Sequence, residues 1–243
     1  MLSEIFKLFW KTVERKDARR INSQTPPTEI EQFCDIQYID DGLWQHRLDV
    51  YSKSGKLSHR PVIIDIHGGG WMYGTKEINK NYCLVLAQND YVVVNINYRL
   101  APDFSVADQL RDCFFAFKWV STNIEKYGGD LNNVFVTGDS AGGFLAAYSA
   151  LLNSSEKLRK IFGVTESGLE FRACGLTSPV CFMNTHTFQD VYYSRVKGKE
   201  FSESTLRGFE NFDAVLNKGS MPPTFLVTSS GDAVGRLPTI KIY

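Results

Sequence analysis

A serine becomes a nucleophile where the backbone lifts its Oγ clear of its neighbours and where a base and an oxyanion site stand close by. Ser140 meets the first condition by pattern. It is the centre of Gly138-Asp139-Ser140-Ala141-Gly142-Gly143, with the apolar run Val134-Phe135-Val136 before it and Phe144-Leu145-Ala146-Ala147-Tyr148 after it. That order reads as strand, tight turn, helix. Gly138 and Gly142 are small enough for the chain to reverse without a clash, and the first helical N–H groups, from Ala141 on, point at whatever reacts at Oγ. A second segment supplies matching parts. His67-Gly68-Gly69-Gly70 follows the apolar run Val62-Ile63-Ile64-Asp65-Ile66, and glycines directly after a strand expose backbone N–H groups with no Cβ in the way, as an oxyanion hole requires.

With these paired motifs the chain resembles the α/β-hydrolase superfamily, and within it the hormone-sensitive-lipase-like esterases, from about Phe33 to Asp232. Asn97-Tyr98-Arg99-Leu100-Ala101-Pro102 matches a further signature of that group. Gly-Asp-Ser also occurs in chymotrypsin-like proteases, but those are all-β and place His and Asp before the serine. Alternating helical and strand patterns here exclude them. The resemblance implies an α/β fold, a mostly parallel twisted sheet with helices on both faces and a helical cap. It also implies a carboxylesterase or lipase activity on a small-molecule ester, with no metal or organic cofactor. Ser140 is then the nucleophile, and the N–H groups of Gly68, Gly69 and Ala141 form the oxyanion hole. His67, Gly70, Gly138, Asp139 and Gly142 support the two motifs, His67 by hydrogen bonding within its loop rather than as a base. Asp232 serves as the orienting carboxylate or, on a plainer reading, as a helix cap.

In this superfamily the triad runs Ser, then Asp or Glu, then His. The chain's four histidines, His46, His59, His67 and His186, all precede Asp232. The family's final helix, strand and histidine loop are not found after Asp232, and Pro238 falls where a helix is expected. The tail therefore reads as that of a truncated or frame-shifted gene. Impaired catalysis is expected, together with an open apolar sheet edge. The alternatives are an inactive fragment and a non-catalytic binder of small molecules, as hormone-sensitive-lipase-like folds have become after losing the histidine.

The elements that must hold these motifs follow from periodicity. Leu2, Ile5, Phe6, Phe9 and Val13 recur at helical spacing, giving an amphipathic helix that either packs on the protein, as part of a cap by resemblance, or lies on a membrane surface. Residues 1–29 are this helix and a linker. Cys34–Tyr38 and Arg47–Tyr51 alternate across Asp40-Asp41-Gly42 as a hairpin. Pro61–Ile66 and Tyr91–Ile96 are buried strands, with a helix marked by Ile78, Tyr82, Val85 and Leu86 between them. Trp71 and Tyr73 either line the acyl side of a pocket or pack. Arg99 anchors its loop by a salt bridge. Ser105 and Asp108 form a capping box for a helix with the core stripe Val106, Leu110, Cys113, Phe114, Phe117, Val120 and Ile124. Phe171–Leu176 is the next strand. Residues 181–221 break the rhythm and accumulate aromatics, which the resemblance reads as a cap insertion. Pro222–Thr228 resumes the sheet, so residues 1–243 form a single domain, incomplete at the C-terminus.

Composition limits the partners. Lys and Arg total 27 and so do Asp and Glu, which leaves no net field to gather nucleic acid or an anionic membrane. No run is long and apolar enough for stable membrane insertion, and the N-terminus lacks a signal peptide's apolar core. Five scattered cysteines without a C-x-x-C spacing suggest neither a disulfide framework nor a zinc site, and a cytoplasmic setting is expected. Oligomeric state is left open.

Overall fold

The computed structural model describes residues 2–55, 59–181, 183, 189–203 and 206–229. Strands β1 (Ile30–Gln37), β2 (Arg47–Lys53), β3 (Arg60–Ile66), β4 (Val92–Ile96), β5 (Gly129–Asp139), β6 (Phe171–Thr177) and β7 (Thr224–Val227) form one sheet in the order β1-β2-β4-β3-β5-β6-β7. The β1–β2 and β2–β4 pairs are antiparallel and the others parallel. The near-continuous apolar strands β3 and β4 sit in the middle, where both faces are covered. This mixed, mostly parallel sheet with helices on both faces is the expected α/β architecture.

β4 lies on one side of β3 and β5 on the other. The chain thus reverses its direction of travel across the sheet at β3, and the crevice at the carboxyl ends of β3 and β5 is the point where such sheets bind ligands. Helix α2 (Lys80–Gln88) covers β1, β2 and β4 on one face, while α3 (Val106–Asn123) and α4 (Ser140–Asn153) pack together on the other. The seven stripe residues of α3 and the short helix after it are all buried. The helix begins at the predicted box, with Ser105 Oγ accepting from Asp108 N–H and Asp108 Oδ2 accepting from Ser105 N–H at 2.9 Å.

Two local readings are corrected and a third gains detail. In α2 it is Cys83, Leu84 and Ala87 that face the sheet, and Tyr82 and Val85 are about half exposed. The helix lies close on β4, and small side chains permit that approach better than tyrosine does. In α1 (Leu2–Asn22) the described inward positions are Trp10, Val13, Asp17 and Ile21, while Leu8 and Phe9 are exposed. Contacts along this face fix it: Trp10 stacks on Tyr73, with ring centroids 5.4 Å apart, and also meets Tyr192. The hairpin carries a bulge between Phe33 and Ile36, with Asp35 at φ 58°. That bulge turns the Asp35 N–H onto the buried Asp49 carboxylate at 2.7 Å.

Between β6 and β7 lie α6 (Gln189–Glu203), kinked at Gly198, and α7 (Phe212–Leu216); α5 (Glu156–Phe162) follows α4. On β7, Phe225 is 72% exposed beside a groove that also involves Tyr82 and Phe135. Asp232 and His186 fall outside the described residues.

Candidate active site

Parallel pairing of β3 with β5 places Ile66 opposite Gly138, so the glycine loop and the serine turn leave the sheet side by side. Ser140 has φ 50°, a conformation unfavourable for a residue with a side chain. The surroundings force it. A Cβ on Gly138 would lie 2.4 Å from the carbonyl oxygen of Gly142, and one on Gly142 would lie 2.0 Å from that of Ile66. Both positions accept only glycine. The N–H of Ala141 opens α4, where the first N–H groups have no partner inside the helix.

The glycine loop is fixed by backbone and by rings. Gly69 has φ 120° and Gly70 φ 57°. A Cβ on Gly69 would sit 2.0 Å from the Tyr73 carbonyl oxygen, and one on Gly70 would strike Trp10 and Tyr192. Tyr192 of α6 donates its hydroxyl hydrogen to the Gly70 carbonyl. Trp71 continues the loop at φ 63°, fully buried, and its carbonyl accepts from Ala101 N–H (2.8 Å) and from Gln109 Nε2 (2.9 Å). Its ring meets Phe144 and Tyr193 edge-on.

His67 is structural. Its Nδ1 lies 2.7 Å from the Gly68 carbonyl, which only accepts, so Nδ1 carries the hydrogen. The ring stacks on Tyr98 at 4.4 Å, and Tyr98 donates to the His67 carbonyl at 2.7 Å. Complete burial pushes the imidazole down to about 4, against the smaller opposing pulls of Gly68 and Asp139. It stays neutral at neutral pH. The other described histidines are also placed elsewhere: His46 is paired with Asp41 and Asp112, and His59 precedes β3 at the far end of the strand.

One donor assignment is corrected. The Gly68 N–H donates to Asp139 Oδ1 at 2.9 Å, so it is committed to that carboxylate rather than to an oxyanion. The reason lies in the turn itself. Asp139 occupies the N-cap position of α4, yet makes no cap bond with its side chain; the carboxylate is directed across to the loop. Gly69 and Gly70 are the next donors along the chain, and their N–H groups make no hydrogen bond among the described residues. The loop's wider support includes Asn79, whose Nδ2 donates to Asp139 Oδ1 (2.9 Å) and to Asp65 Oδ2 (3.0 Å). Motif reading missed Asn79, Trp10 and Tyr192. An aspartate inside the buried run Val62–Ile66 was the available signal that a polar partner had to exist. Arg99 does anchor its loop, with Nη2 2.7 Å and Nε 2.9 Å from the Asp112 carboxylate.

Strained serine elbow, adjacent glycine loop and reversed parallel sheet together define an α/β hydrolase. Residues 48–194 match the BD-FAE family model. Isoprenylcysteine alpha-carbonyl methylesterase ICME of Arabidopsis thaliana is 28% identical over 198 residues, covering 77% of this chain and 46% of its own length. Carboxylesterase NlhH of Mycobacterium tuberculosis is 34% identical over 145 residues, 58% of this chain and 45% of its own. The chain thus spans less than half the length of these two curated relatives. Esterase B of Lactobacillus rhamnosis, solved as the inhibited complex of a C4-C4 SN3 tributyrin phosphonate, superposes with a TM-score of 0.86 at 31% identity, covering 93% of this chain and 73% of that one. The chain belongs to the BD-FAE family, within the α/β-hydrolase superfamily that its motifs led us to expect.

Among the described residues no helix is long and apolar enough to cross a membrane, and no cluster of three or more His, Cys, Asp or Glu side chains is grouped to hold a metal.

Proposed function

We propose that this chain is a serine esterase of the carboxylesterase type that cleaves small carboxylic esters with short acyl chains. The observation that carries the reading is Ser140 at φ 50° on the turn that leaves the sheet beside the Gly68–Gly70 loop, a conformation with a steric cost of the kind kept at functional sites. Ser140 Oγ attacks the acyl carbon and its proton passes to a histidine oriented by Asp232. The N–H groups of Gly69, Gly70 and Ala141 hold the oxyanion. The alcohol leaves with the proton, and water then releases the acid from the acyl-serine. Residues 181–221 and helix α1 form the cap, supported by Tyr192 and Trp10 meeting over Gly70. The tributyrin phosphonate on esterase B supports a butyrate-sized acyl group. Four buried free cysteines and one exposed one fit a reducing, cytoplasmic setting.

A polypeptide limited to these 243 residues holds only His46, His59, His67 and His186. Its expected turnover is that of an oxyanion hole and binding alone. The test is phosphonate labelling read by intact mass, together with p-nitrophenyl butyrate hydrolysis, on this chain and on one extended with the C-terminal segment of esterase B. Labelling at Ser140 in the extended chain, abolished by Ser140→Ala, is expected; an extended chain that takes no label overturns the reading. A second reading, non-catalytic binding of a small ester-like molecule, is favoured by the placement of the described histidines, with His46 on Asp41 and Asp112, His67 on the Gly68 carbonyl and His59 exposed ahead of β3. Saturable binding of an ester by an extended chain that neither labels nor hydrolyses would establish it.

A further inference from the structure

Asn79 stands at the N-cap position of α2, where an asparagine side chain ordinarily accepts from the helix's first N–H groups. Here it makes no cap bond. Its amide nitrogen instead spends both hydrogens on carboxylates from two strands, Asp65 Oδ2 on β3 at 3.0 Å and Asp139 Oδ1 at the end of β5 at 2.9 Å. The same Asp139 oxygen accepts the Gly68 N–H at 2.9 Å. One oxygen atom therefore joins the glycine loop, the residue preceding Ser140 and the start of α2.

We propose that Asn79 is a positioning residue of the ester-cleaving site: by donating to Asp139 and Asp65 together, it holds the Asp139 carboxylate on Gly68 N–H and so fixes the spacing between the Gly69–Gly70 donors and Ser140. The proposal rests on the esterase reading for the word site, and on geometry alone for the anchor. Two carboxylates this close, with no cation between them, oppose each other unless a neutral donor bridges them or one is protonated. Asp65 is 1% exposed, and burial, then Asp139, push its carboxyl up to about 7. Among the described residues the other titratable groups around the pair are Cys83 and Tyr82 of α2, both held up by burial and by Asp65, Tyr98, held up chiefly by burial, and the neutral His67. None of them supplies a positive charge. Space is as tight as the bonding: a Cβ on Gly68 would lie 2.3 Å from Asp139 Oδ2, so loss of the amide bridge lets the carboxylate swing where the loop now packs.

The experiment compares wild type with Asn79→Leu, which keeps the volume and removes the donors, and with Asn79→Asp. Hydrogen exchange of the Gly68 amide is read by NMR, alongside p-nitrophenyl butyrate hydrolysis in the chain extended with the C-terminal segment of esterase B. In Asn79→Leu the Gly68 amide is expected to exchange about 10- to 100-fold faster, the loss of a charge-assisted hydrogen bond, while amides of α3 and α4 keep their protection. In the extended chain kcat is expected to fall by a similar factor with KM within about twofold, because the oxyanion donors act in the transition state. Asn79→Asp puts a third carboxyl in the cluster: Gly68 protection and kcat should recover as pH is lowered and the new carboxyl is protonated to donate. Wild-type Gly68 exchange and wild-type kcat in Asn79→Leu overturn the proposal. Should that variant fail to fold, an Asn79→Asp protein whose Gly68 exchange and activity follow the wild-type pH profile overturns it equally. A wild-type extended chain that turns over no ester defeats the esterase reading instead, and the exchange of Gly68 reads the anchor without turnover.

Discussion

Two carboxylate clusters flank the glycine loop, and they are built on opposite electrostatic plans. Asp112 of α3, fully buried, receives the backbone N–H of Arg99, the Arg99 guanidinium and the Nε2 side of His46 at 3.2 Å. Asp65 and Asp139 receive a neutral amide and a backbone N–H. A cation compensates the first; a raised carboxyl and a shared donor relieve the second. The first cluster secures the segment 97–101 that supports Trp71, a structural duty in which strength matters. The second sits beside Ser140 and is held by neutral donors. A buried aspartate by itself therefore says little about role. Its partners decide whether it is a rivet or a tuned element of the site.

The comparison is broken most severely by Arg99→Leu, which leaves Asp112 buried without its cation. A loss of about 3–5 kcal/mol in denaturant unfolding is expected, and a loss near zero would show that His46 alone can compensate. Gly68→Ala attacks the other cluster by sterics, since its Cβ meets Asp139 Oδ2; about 1–3 kcal/mol of destabilisation is expected, with greater loss of ester turnover than of stability.

The two clusters differ next in their pH windows. Asp65 is held up to about 7 by burial and Asp139, so the folded state keeps a proton that the unfolded chain releases near 4. Its contribution is fully present below that value and is lost as pH rises toward 7. Asp65→Asn should flatten stability between pH 4 and 7, and raise Tm at pH 8 by about 2–4 °C, equivalent to about 1 kcal/mol. For His46, burial pulls the imidazole down, but Asp112 and Asp41 outweigh it and the net shift is upward. Its contribution is complete below about 6.5 and disappears at higher pH, as the folded-state ring deprotonates. His46→Gln should therefore remove a stability slope that lies at higher pH than the Asp65 slope. Melts across pH 4–9 check both. Phe225→Ser on exposed β7 touches neither cluster and should change stability by no more than about 0.5 kcal/mol, which makes it the control for the series.

Much of this was legible in the chain. The seven-residue stripe of α3 with its Ser105 and Asp108 box, the strand runs Val62–Ile66 and Val92–Ile96, and the Ser140 turn all follow from local rules of period, capping and size. Phe9 on α1 and the inward face of α2 were misread, because exposed Phe9, Tyr82 and Val85 carry the same hydrophobic signal as buried residues. Gly68 was misassigned as an oxyanion donor because a motif records that an N–H is free of Cβ, and nothing about which acceptor takes it.

What the sequence by itself determined is where the chain turns, which runs are buried and where a serine must adopt a strained elbow. These depend on neighbours within a few residues, where steric size and hydrophobic period act directly. Which acceptor takes the Gly68 N–H, how far burial raises the Asp65 carboxyl and which helix face meets the loop were decided only by tertiary structure. Those outcomes depend on Asp65, Asn79 and Asp139, and on Trp10, Tyr73 and Tyr192, groups drawn from distant segments. Hydrogen bonds and desolvation act over a few ångströms of space, and only the crossing of β3, β4 and β5 brings those segments within that range.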